Sequence, residues 1–248
     1  MSEGQGPRAD AVFISDVHLH PDQPEITQRF ERWVQWALTH TKSVYVLGDF
    51  FYAWTGDDLM DAFTWSIVPL WRQLTDAGIR VFYLPGNRDF LLGPRFLEAA
   101  GIKRMIDPYV LSLEGQTVLL THGDQYCTGD IIHQRFRRLT RNALFSKIFL
   151  CLPKWLRQTM VQRVRRYSEQ HTGQKSAVQM DVSESAVLAD MDRHGLKTLI
   201  HGHTHKPARH VYDAPGGQYL RYVLSDWDAN PRFLWYTQKS GFEFIQPL

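Results

Sequence analysis

The sequence predicts an α/β fold built around mixed β-sheets. Short apolar runs, rich in β-branched residues, recur along the chain, and each ends in a cluster of polar residues. Segments with helical spacing of apolar residues lie between several of these runs, and the last quarter of the chain contains two patterns typical of β-hairpins. Alternation of strands and helices is the pattern of layered α/β proteins.

Five apolar runs are predicted to be strands. They are AVFIS (11–15), SVYVLG (43–48), RVFYLPG (80–86), TVLLT (117–121) and KTLI (197–200). Continuous apolar runs of this length, without polar alternation, are typical of strands that are buried on both faces. We therefore expect layers of helices to cover the sheets.

Apolar periodicity predicts helices over 25–39, 59–76 and 184–194. Pro69 lies inside the second pattern and predicts a kink or a break there, because proline lacks an N–H and clashes with the preceding turn. The two predicted hairpins are ARHVYD-APGGQ-YLRYVLSD and RFLWYT-QKSG-FEFIQP. The sheets should thus be parallel centrally and antiparallel towards the end of the chain.

The segment 128–176 is long, helical in pattern and rich in Leu, Phe and Trp. Between Arg135 and Lys175 it carries eleven Lys and Arg residues against one acid, so its local charge is +10 while the whole chain is +2. Such segregation is found on solvated helix faces and on surfaces that bind anionic partners. We interpret the segment as a helical cap inserted into one domain, 9–248, which follows a loose tail, 1–8.

Several classes of protein are excluded or unsupported. The longest apolar stretch, 143–156, is too short and too interrupted to span a bilayer, and MSEGQGPRAD lacks the apolar core of a signal peptide. The two cysteines, Cys127 and Cys151, fit a reducing compartment best. The chain contains no P-loop, no G-x-G-x-x-G and no G-x-S-x-G, so nucleotide triphosphate binding, dinucleotide binding and serine-hydrolase chemistry have no support.

Polar residues follow each of the five predicted strands. They are Asp16 and His18, Asp49, Asn87, His122, and His203 and His205. Singly, each could cap a turn or be a buried structural histidine. Together they should meet at the carboxyl edge of the strands, where open α/β sheets bind ligands.

The residue types at this edge agree with one another. Carboxylate, amide and imidazole groups suit divalent Mn, Mg, Fe, Zn or Ni, and no thiolate is present. The set is too large for one ion, but two ions that share a bridging carboxylate would use all of it. Paired ions of this kind catalyse phosphoryl transfer.

In chain order the motifs are Asp16-x-His18, Gly48-Asp49, Gly86-Asn87-Arg88-Asp89, His122-Gly123-Asp124 and Gly202-His203-Thr204-His205. As a set they resemble the five motifs of the calcineurin-like metallophosphoesterases. The resemblance implies a four-layer αββα sandwich of mixed sheets with two divalent ions, expected to be Mn²⁺. It implies that Asp16, His18, Asp49 and His205 hold one ion, and that Asn87, His122 and His203 hold the other with Asp49 as the bridge. His201 lies outside the family pattern, and we expect it to be structural.

Arg88 indicates a particular group within this superfamily, because most members have histidine in the position after the asparagine. The stretches GNRDFLLG, GDFFYAWTGDD (48–58), HGDQYCTGD (122–130) and HGHTHKP (201–207) resemble the UDP-2,3-diacylglucosamine pyrophosphatases of lipid A biosynthesis in Gram-negative bacteria. This resemblance implies that water attacks the α-phosphorus and that UMP and 2,3-diacylglucosamine 1-phosphate (lipid X) are the products. Arginine suits a grip on the diphosphate better than proton donation.

The same resemblance implies roles for further residues. Catalysis would involve Asn87, Arg88 and His203, and the substrate contacts would be Asn87, Arg88, Asp130, Ser168, Thr172, Lys175 and His203. Thr172 stands where the family usually has asparagine. The cap would enclose the acyl chains and face an anionic membrane surface. We therefore expect a monomer, bound peripherally to the cytoplasmic face of the inner membrane, with no nucleic-acid partner.

Two other interpretations stay open. The first keeps the metal chemistry and changes the substrate to a nucleic acid, a cyclic nucleotide or a phosphoprotein, because a basic insertion could track a phosphate backbone. The second is a non-catalytic membrane- or nucleic-acid-binding module on an inactive scaffold. Leu, Ile and Phe among the basic residues favour acyl chains over nucleic acid, and every expected ligand position holds a competent residue.

Overall fold

The structure is a computed structural model that describes residues 8–172, 181–228 and 230–247. In these residues two sheets contain eleven strands, and seven α-helices pack around them. The strands are β1 (Ala11–Ile14), β2 (Ser43–Leu47), β3 (Arg80–Leu84), β4 (Lys103–Arg104), β5 (Tyr109–Leu113), β6 (Gln116–Leu120), β7 (Thr198–His201), β8 (Ala208–Ala214), β9 (Gly217–Val223), β10 (Phe233–Thr237) and β11 (Gly241–Ile245). The helices are α1 (Pro24–His40), α2 (Ala62–Asp76), α3 (Pro94–Ala100), α4 (Ile131–Thr140), α5 (Ala143–Cys151), α6 (Lys154–Thr172) and α7 (Glu184–His194).

Both sheets are mixed, as predicted. The first has the order β11-β10-β1-β2-β3-β4, in which β1 to β4 are parallel and β10 is antiparallel to both of its neighbours, β1 and β11. The second has the order β5-β6-β7-β9-β8, in which β6, β7 and β9 are parallel. The parallel strands β1, β2, β3, β6 and β7 are the five that the apolar runs predicted.

Alternation along β1 shows why the runs are apolar throughout. Phe13 points into the core between the two sheets, where it meets Tyr45 and Ile200. Val12 and Ile14 point to the opposite face and pack under α1 and α2. Because successive side chains of a strand point to opposite faces, a strand that is covered on both sides needs apolar residues at every position.

Helices cover both outer faces. On the first sheet, Phe30 of α1 and Trp71 of α2 lie in one aromatic core with ring centroids 5.0 Å apart. On the second sheet, Val187 of α7 packs with Leu199. The predicted four-layer αββα sandwich is confirmed.

The helices begin and end where local chemistry favours it. The Asp61 carboxylate accepts a hydrogen bond from the Thr64 N–H at the start of α2, and the Ser183 hydroxyl accepts one from Ala186 N–H at the start of α7. Gly101 and Gly195 end α3 and α7 in left-handed conformations.

Helices α4, α5 and α6 occupy most of the predicted cap insertion. Arg157 of α6 is almost fully buried and fixes the cap to the loop after β2: its guanidinium donates to both carboxylate oxygens of Asp58 and to the Thr55 carbonyl oxygen. Residues 173–176 of the predicted insertion lie outside the described residues. Among the described residues, every helix is too short or too polar to span a bilayer.

Some local predictions were wrong. α2 begins at residue 62 instead of 59, since residues 57–59 form a separate short 3-10 turn. Of the two outcomes expected at Pro69, a kink or a break, the break does not occur, because the helix continues to Asp76. Pro69 and Trp65, four residues earlier, are both exposed, so solvent can satisfy the carbonyl that loses its helical partner. Strands β4 and β5 and helix α3 were not predicted, and β5 forms an antiparallel hairpin with β6 early in the chain.

The predicted tail is only partly described. Residues 1–7 lie outside the described residues. Arg8, the last residue of the predicted tail, donates hydrogen bonds to the Leu38 and Thr39 carbonyl oxygens at the end of α1.

Candidate metal centre

The seven predicted metal ligands all lie in loops at one edge of the two sheets. Asp16 and His18 follow β1, Asp49 follows β2, Asn87 follows β3, His122 follows β6, and His203 and His205 follow β7. The two sheets meet at this edge, because His122 Nδ1 hydrogen-bonds the Leu47 carbonyl oxygen at 2.9 Å across them. A carbonyl can only accept, so Nδ1 donates and Nε2 is turned towards the other candidate ligands.

Five of these ligands have an unusual backbone conformation. Asp16, His18, Asp49, His203 and His205 have φ between +53° and +70°, and in the described ranges no other non-glycine residue has positive φ. Left-handed conformations are costly for residues with a Cβ and persist where the surrounding structure imposes them. The loops therefore turn sharply at the residues whose side chains point into the centre.

Three side chains form the first cluster. His205 Nε2 lies 3.3 Å and His18 Nε2 lies 3.8 Å from Asp16 Oδ1. Asp16 Oδ1 and His18 Nε2 are buried and have no hydrogen-bond partner. Buried polar atoms are rarely left without a partner, and a cation between them would satisfy both.

Asp49 stands between the two clusters. Its Oδ2 lies 3.5 Å from His18 Nε2 on one side and 3.6 Å from His122 Nε2 on the other. Its Oδ1 accepts the Arg88 backbone N–H at 2.8 Å. This is the position that a bridging carboxylate needs.

The second cluster is centred on the Asn87 amide oxygen. His122 Nε2 lies 2.9 Å from it and His203 Nδ1 lies 3.0 Å from it. In a neutral His122 whose Nδ1 donates to Leu47, the Nε2 lone pair faces the amide oxygen. Two acceptors that face each other in a buried site fit a shared cation.

The charges of the centre also suit cations. Burial opposes ionisation of Asp16, yet the positive charge of His205 outweighs it and lowers the pKa of Asp16. The pKa of Asp49 is also lowered: burial opposes its ionisation, but His122 and His18 hold the pKa well below the usual range. Burial and the charge of His122 lower the pKa of His203 to about 3, so this imidazole is neutral. Metal ligands are ionised carboxylates and neutral imidazoles. Despite burial, Asp16 raises the pKa of His205 to about 10 and Asp49 raises the pKa of His122, so cations at this centre would replace the protons on these two rings.

Other contacts hold the loops in place. The buried Asp89 carboxylate accepts the backbone N–H groups of Phe50 at 2.7 Å and Gly86 at 2.9 Å. Gly86 and Gly202 let the chain pass close to Asp49 and Asp16, because a Cβ at either glycine would collide with the neighbouring carboxylate. The supporting role of Asp89 was not predicted, although its place in the GNRD motif was the signal.

The other predicted residues lie at varied distances from the centre. Arg88 is adjacent, with Nε 3.4 Å from Asp49 Oδ2. Asp130 caps α4 by accepting the His133 N–H, and Ser168 lies on α6. The side chain of Thr172 and the whole of Lys175 lie outside the described residues.

His201 is not part of either cluster. It is fully buried, its Nδ1 hydrogen-bonds the Gly202 carbonyl oxygen at 2.8 Å, and Arg221 donates to its Nε2 at 3.2 Å. Burial and the charge of Arg221 lower its pKa to about 3. This arrangement agrees with the structural role expected for it.

A group of charged residues that the sequence did not reveal joins the cap to this edge. The buried Asp124 faces two arginines of the cap, with Arg137 Nε 3.1 Å from Oδ2 and Arg141 Nη2 3.8 Å from Oδ1. His133 of α4 stacks on His203 with ring centroids 5.4 Å apart. The start of the cap therefore contacts the second cluster directly.

The donor set as a whole fits two divalent cations that share Asp49. Its members are carboxylate, amide and imidazole groups, and the unpartnered atoms of Asp16 and His18 point to the same space. Such a centre can bind phosphoryl oxygens and activate water.

Comparisons with known proteins agree with this chemistry. A family model described as calcineurin-like phosphoesterase matches residues 11–207. Two curated proteins named UDP-2,3-diacylglucosamine hydrolase, from Pseudomonas putida (strain W619) and Pseudomonas aeruginosa (strain UCBPP-PA14), are 45% and 43% identical over 217 residues, which cover 88% of this chain and 90% of each relative. A third of the same name, from Chromohalobacter salexigens, is 41% identical over 216 residues, which cover 87% of this chain and 88% of the relative.

Proposed function

Because this chain belongs to the calcineurin-like phosphoesterases, and within them to the proteins named UDP-2,3-diacylglucosamine hydrolase, we propose that it hydrolyses the diphosphate of UDP-2,3-diacylglucosamine. It is a hydrolase that depends on divalent metal. The products are UMP and 2,3-diacylglucosamine 1-phosphate, an intermediate of lipid A biosynthesis. The single observation that carries the proposal is that seven oxygen and nitrogen ligands from five loops meet at one edge of the sheets, with Asp49 between the two clusters.

The contacts described above support the ligand sets that the family resemblance implies. Asp16, His18, Asp49 and His205 would hold one ion, and Asn87, His122 and His203 would hold the second, with Asp49 shared. Oxygen and imidazole donors without thiolate suit Mn²⁺, which we propose as the resident ion. When bound, two such ions polarise the phosphoryl oxygens and lower the pKa of water.

In the reaction, a water oxygen forms a bond to the α-phosphorus as the bond from that phosphorus to the bridging oxygen breaks. The leaving group is 2,3-diacylglucosamine 1-phosphate, the new oxygen stays on UMP, and the water proton is released. Arg88 donates to the charged phosphoryl oxygens, and Asn87 and His203 orient the phosphate at the second cluster. Preorganised donors of this kind stabilise the charge that develops in the transition state.

The cap binds the lipid half of the substrate. Asp130 and Ser168 stand at the start of α4 and on α6, and together with Thr172 and Lys175 they are proposed to contact the glucosamine. Apolar side chains of the cap take up the acyl chains. We propose that the cap is an insertion, 128–176, in a single domain that spans 9–248 after a loose tail, 1–8.

The same cap is proposed to rest on an anionic membrane. Ten of the fourteen large apolar side chains that are exposed in the described residues belong to it, and its residues 135–175 have a net charge of +10 while the whole chain has +2. Basic apolar surfaces of this kind bind lipid interfaces without spanning them. The chain would act as a monomer on the cytoplasmic face of the inner membrane and would not bind nucleic acid.

The proposal is tested with purified, Mn²⁺-loaded protein and UDP-2,3-diacylglucosamine in water that carries heavy oxygen. We expect hydrolysis, with the label in UMP and none in 2,3-diacylglucosamine 1-phosphate, as measured by mass spectrometry. Label in the lipid product would contradict attack at the α-phosphorus. Hydrolysis of an aryl phosphodiester without hydrolysis of the lipid nucleotide would contradict the substrate.

A further inference from the structure

A cleft of about 960 Å³ lies beside the candidate metal centre and contains none of its ligands. Its walls are the loop that follows His18, the loop that follows Asp49, and one face of α6. This volume is within the range of small-molecule sites, about 300–1,000 Å³.

The cleft is continuous with the centre through two aromatic rings. The Arg88 guanidinium lies over the ring of Tyr52, with Cζ 5.3 Å from the ring centroid. The ring of His20 lies edge-on to Tyr52 at a centroid distance of 5.0 Å. Both rings line the cleft, so a phosphate held at Arg88 can extend a substituent directly into it.

The charge of the cleft favours an anionic ligand. Arg165 and Arg166 line it, and Arg165 Nε is buried without a hydrogen-bond partner in the described residues. Of the two acids in its walls, Asp61 caps α2 and Asp22 is largely exposed to solvent, which screens its charge.

The polar groups of the cleft match a nucleobase better than an alkyl chain. Gln158 and Gln162 lie one turn apart on α6, are exposed and line the cleft, and each side-chain amide offers two donors and one acceptor atom. Uracil presents an N–H between two carbonyl oxygens, and its face can stack on an aromatic ring such as Tyr52.

We infer that this cleft binds the uridine of the substrate, with uracil against Gln158, Gln162 and Tyr52 and the α-phosphate at Arg88. The identity of the nucleotide rests on the proposed function. Asp130, one of the proposed glucosamine contacts, begins α4, whose His133 stacks on His203, so Asp130 lies beside the second cluster and does not line the cleft.

The test compares two inhibitors of bis(p-nitrophenyl) phosphate hydrolysis by the full chain loaded with Mn²⁺. Inorganic phosphate reports binding at the metal centre alone, whereas UMP adds ribose and uracil. In the double variant Gln158→Ala and Gln162→Ala, the inhibition constant for UMP should rise at least about tenfold, while that for phosphate should change less than about twofold. Arg166→Ala should also raise the constant for UMP. Arg163→Ala, at an exposed arginine of the same helix outside the cleft, should leave both constants as in the wild type.

The inference would be overturned if the inhibition constant for UMP in the double variant and in Arg166→Ala equalled that of the wild type. An equal rise for phosphate would also overturn it, because the variants would then act through the metal centre. If these variants were inhibited less strongly by 2,3-diacylglucosamine 1-phosphate than the wild type is, but equally by UMP, the cleft would be assigned to acyl chains. A wild-type chain that binds UMP through these residues but leaves UDP-2,3-diacylglucosamine intact would support the nucleotide cleft and contradict the proposed substrate.

Discussion

Asp49 is the residue on which both halves of the candidate metal centre depend. One carboxylate oxygen faces His18 and His122 at once, so a neutral amide in its place would weaken both clusters. We expect Asp49→Asn to lose bound metal and to lower kcat/KM by at least about 10²-fold, the loss that one charge-stabilising group already causes. Metal analysis of the purified variant and the lipid hydrolysis assay measure the two effects.

The control for this variant is Asp213→Asn, at an exposed aspartate of the β8–β9 hairpin. It should keep both the metal and the rate of the wild type. An Asp49→Asn protein with wild-type metal content would remove Asp49 from its proposed place as the bridge.

Substitution of Arg88 should affect catalysis without affecting metal binding. The Arg88 backbone N–H donates to Asp49, a contact that alanine or lysine would keep, whereas the guanidinium lies 3.4 Å from Asp49 Oδ2 and is exposed enough to reach a phosphoryl oxygen. We expect Arg88→Ala to retain the metal and to lose about 10²–10³-fold in kcat, as is typical of a lost oxyanion donor. Arg88→Lys should recover only part of the rate, because a single ammonium cannot replace a planar fork. Metal loss in Arg88→Ala would instead make the guanidinium a support for Asp49.

At the scale of elements, the contact between the cap and the core is concentrated in a few buried charges. Arg157 donates to Asp58 and to two backbone carbonyl oxygens, those of Thr55 and Leu152. Asp58 is half exposed and can be hydrated, so the main loss in Arg157→Met would come from the carbonyl oxygens. We expect the free energy of unfolding to fall by about 2–4 kcal/mol, as measured by urea denaturation.

Lys154 provides the matched control, because it contacts the same aspartate from the surface. Lys154→Ala should change the free energy of unfolding by less than about 1 kcal/mol. Equal effects of the two substitutions would show that burial of Arg157 contributes nothing to the attachment of the cap.

Elements were predictable from sequence wherever burial imposed a repeating pattern. β1, β2, β3, β6 and β7 were found because covered strands need apolar residues throughout. α3 was missed because it has only seven residues and owes its start to Asp57, whose carboxylate accepts the N–H groups of Gly93 and Arg95 from more than 30 positions earlier in the chain. A cap contributed by a distant residue leaves no local signal.

In the candidate site, too, some features could be predicted from the sequence and others could not. The candidate ligands could be identified because each follows an apolar run, so the edge of the sheet explains their proximity. The pairing of Asp124 with Arg137 and Arg141 could not be predicted, because no repeating pattern in the cap helices determines how they pack on the rest of the protein. Nor could Gln158 and Gln162, which are ordinary exposed residues until the opposite wall of the cleft is known.

At the scale of the whole molecule, the cap gives the protein one face unlike the rest. Leu144 and Ile148 are both more than half exposed and lie one turn apart on α5. Each should contribute about 1.5 kcal/mol or more when buried in lipid. We therefore expect the double variant Leu144→Ser and Ile148→Ser to bind phosphatidylglycerol vesicles at least about tenfold more weakly in a sedimentation assay.

Val110→Ser combined with Val211→Ser is the control, because these exposed valines lie on the two edge strands of the second sheet. It should leave vesicle binding unchanged. Wild-type binding that is equally strong on neutral phosphatidylcholine and insensitive to salt would contradict a role for the basic charge of the cap.

The left-handed backbone of Asp16, His18, Asp49, His203 and His205 has a consequence for the life of the protein in the cell. Each such turn costs about 1 kcal/mol or more, and five of them weaken the folded state in the same small region. Ions that bind only the folded chain restore that free energy in proportion to the logarithm of their concentration. A cell starved of the divalent ion would then hold an enzyme that is both inactive and more easily degraded, so the supply of that ion would set the amount of the protein as well as its rate.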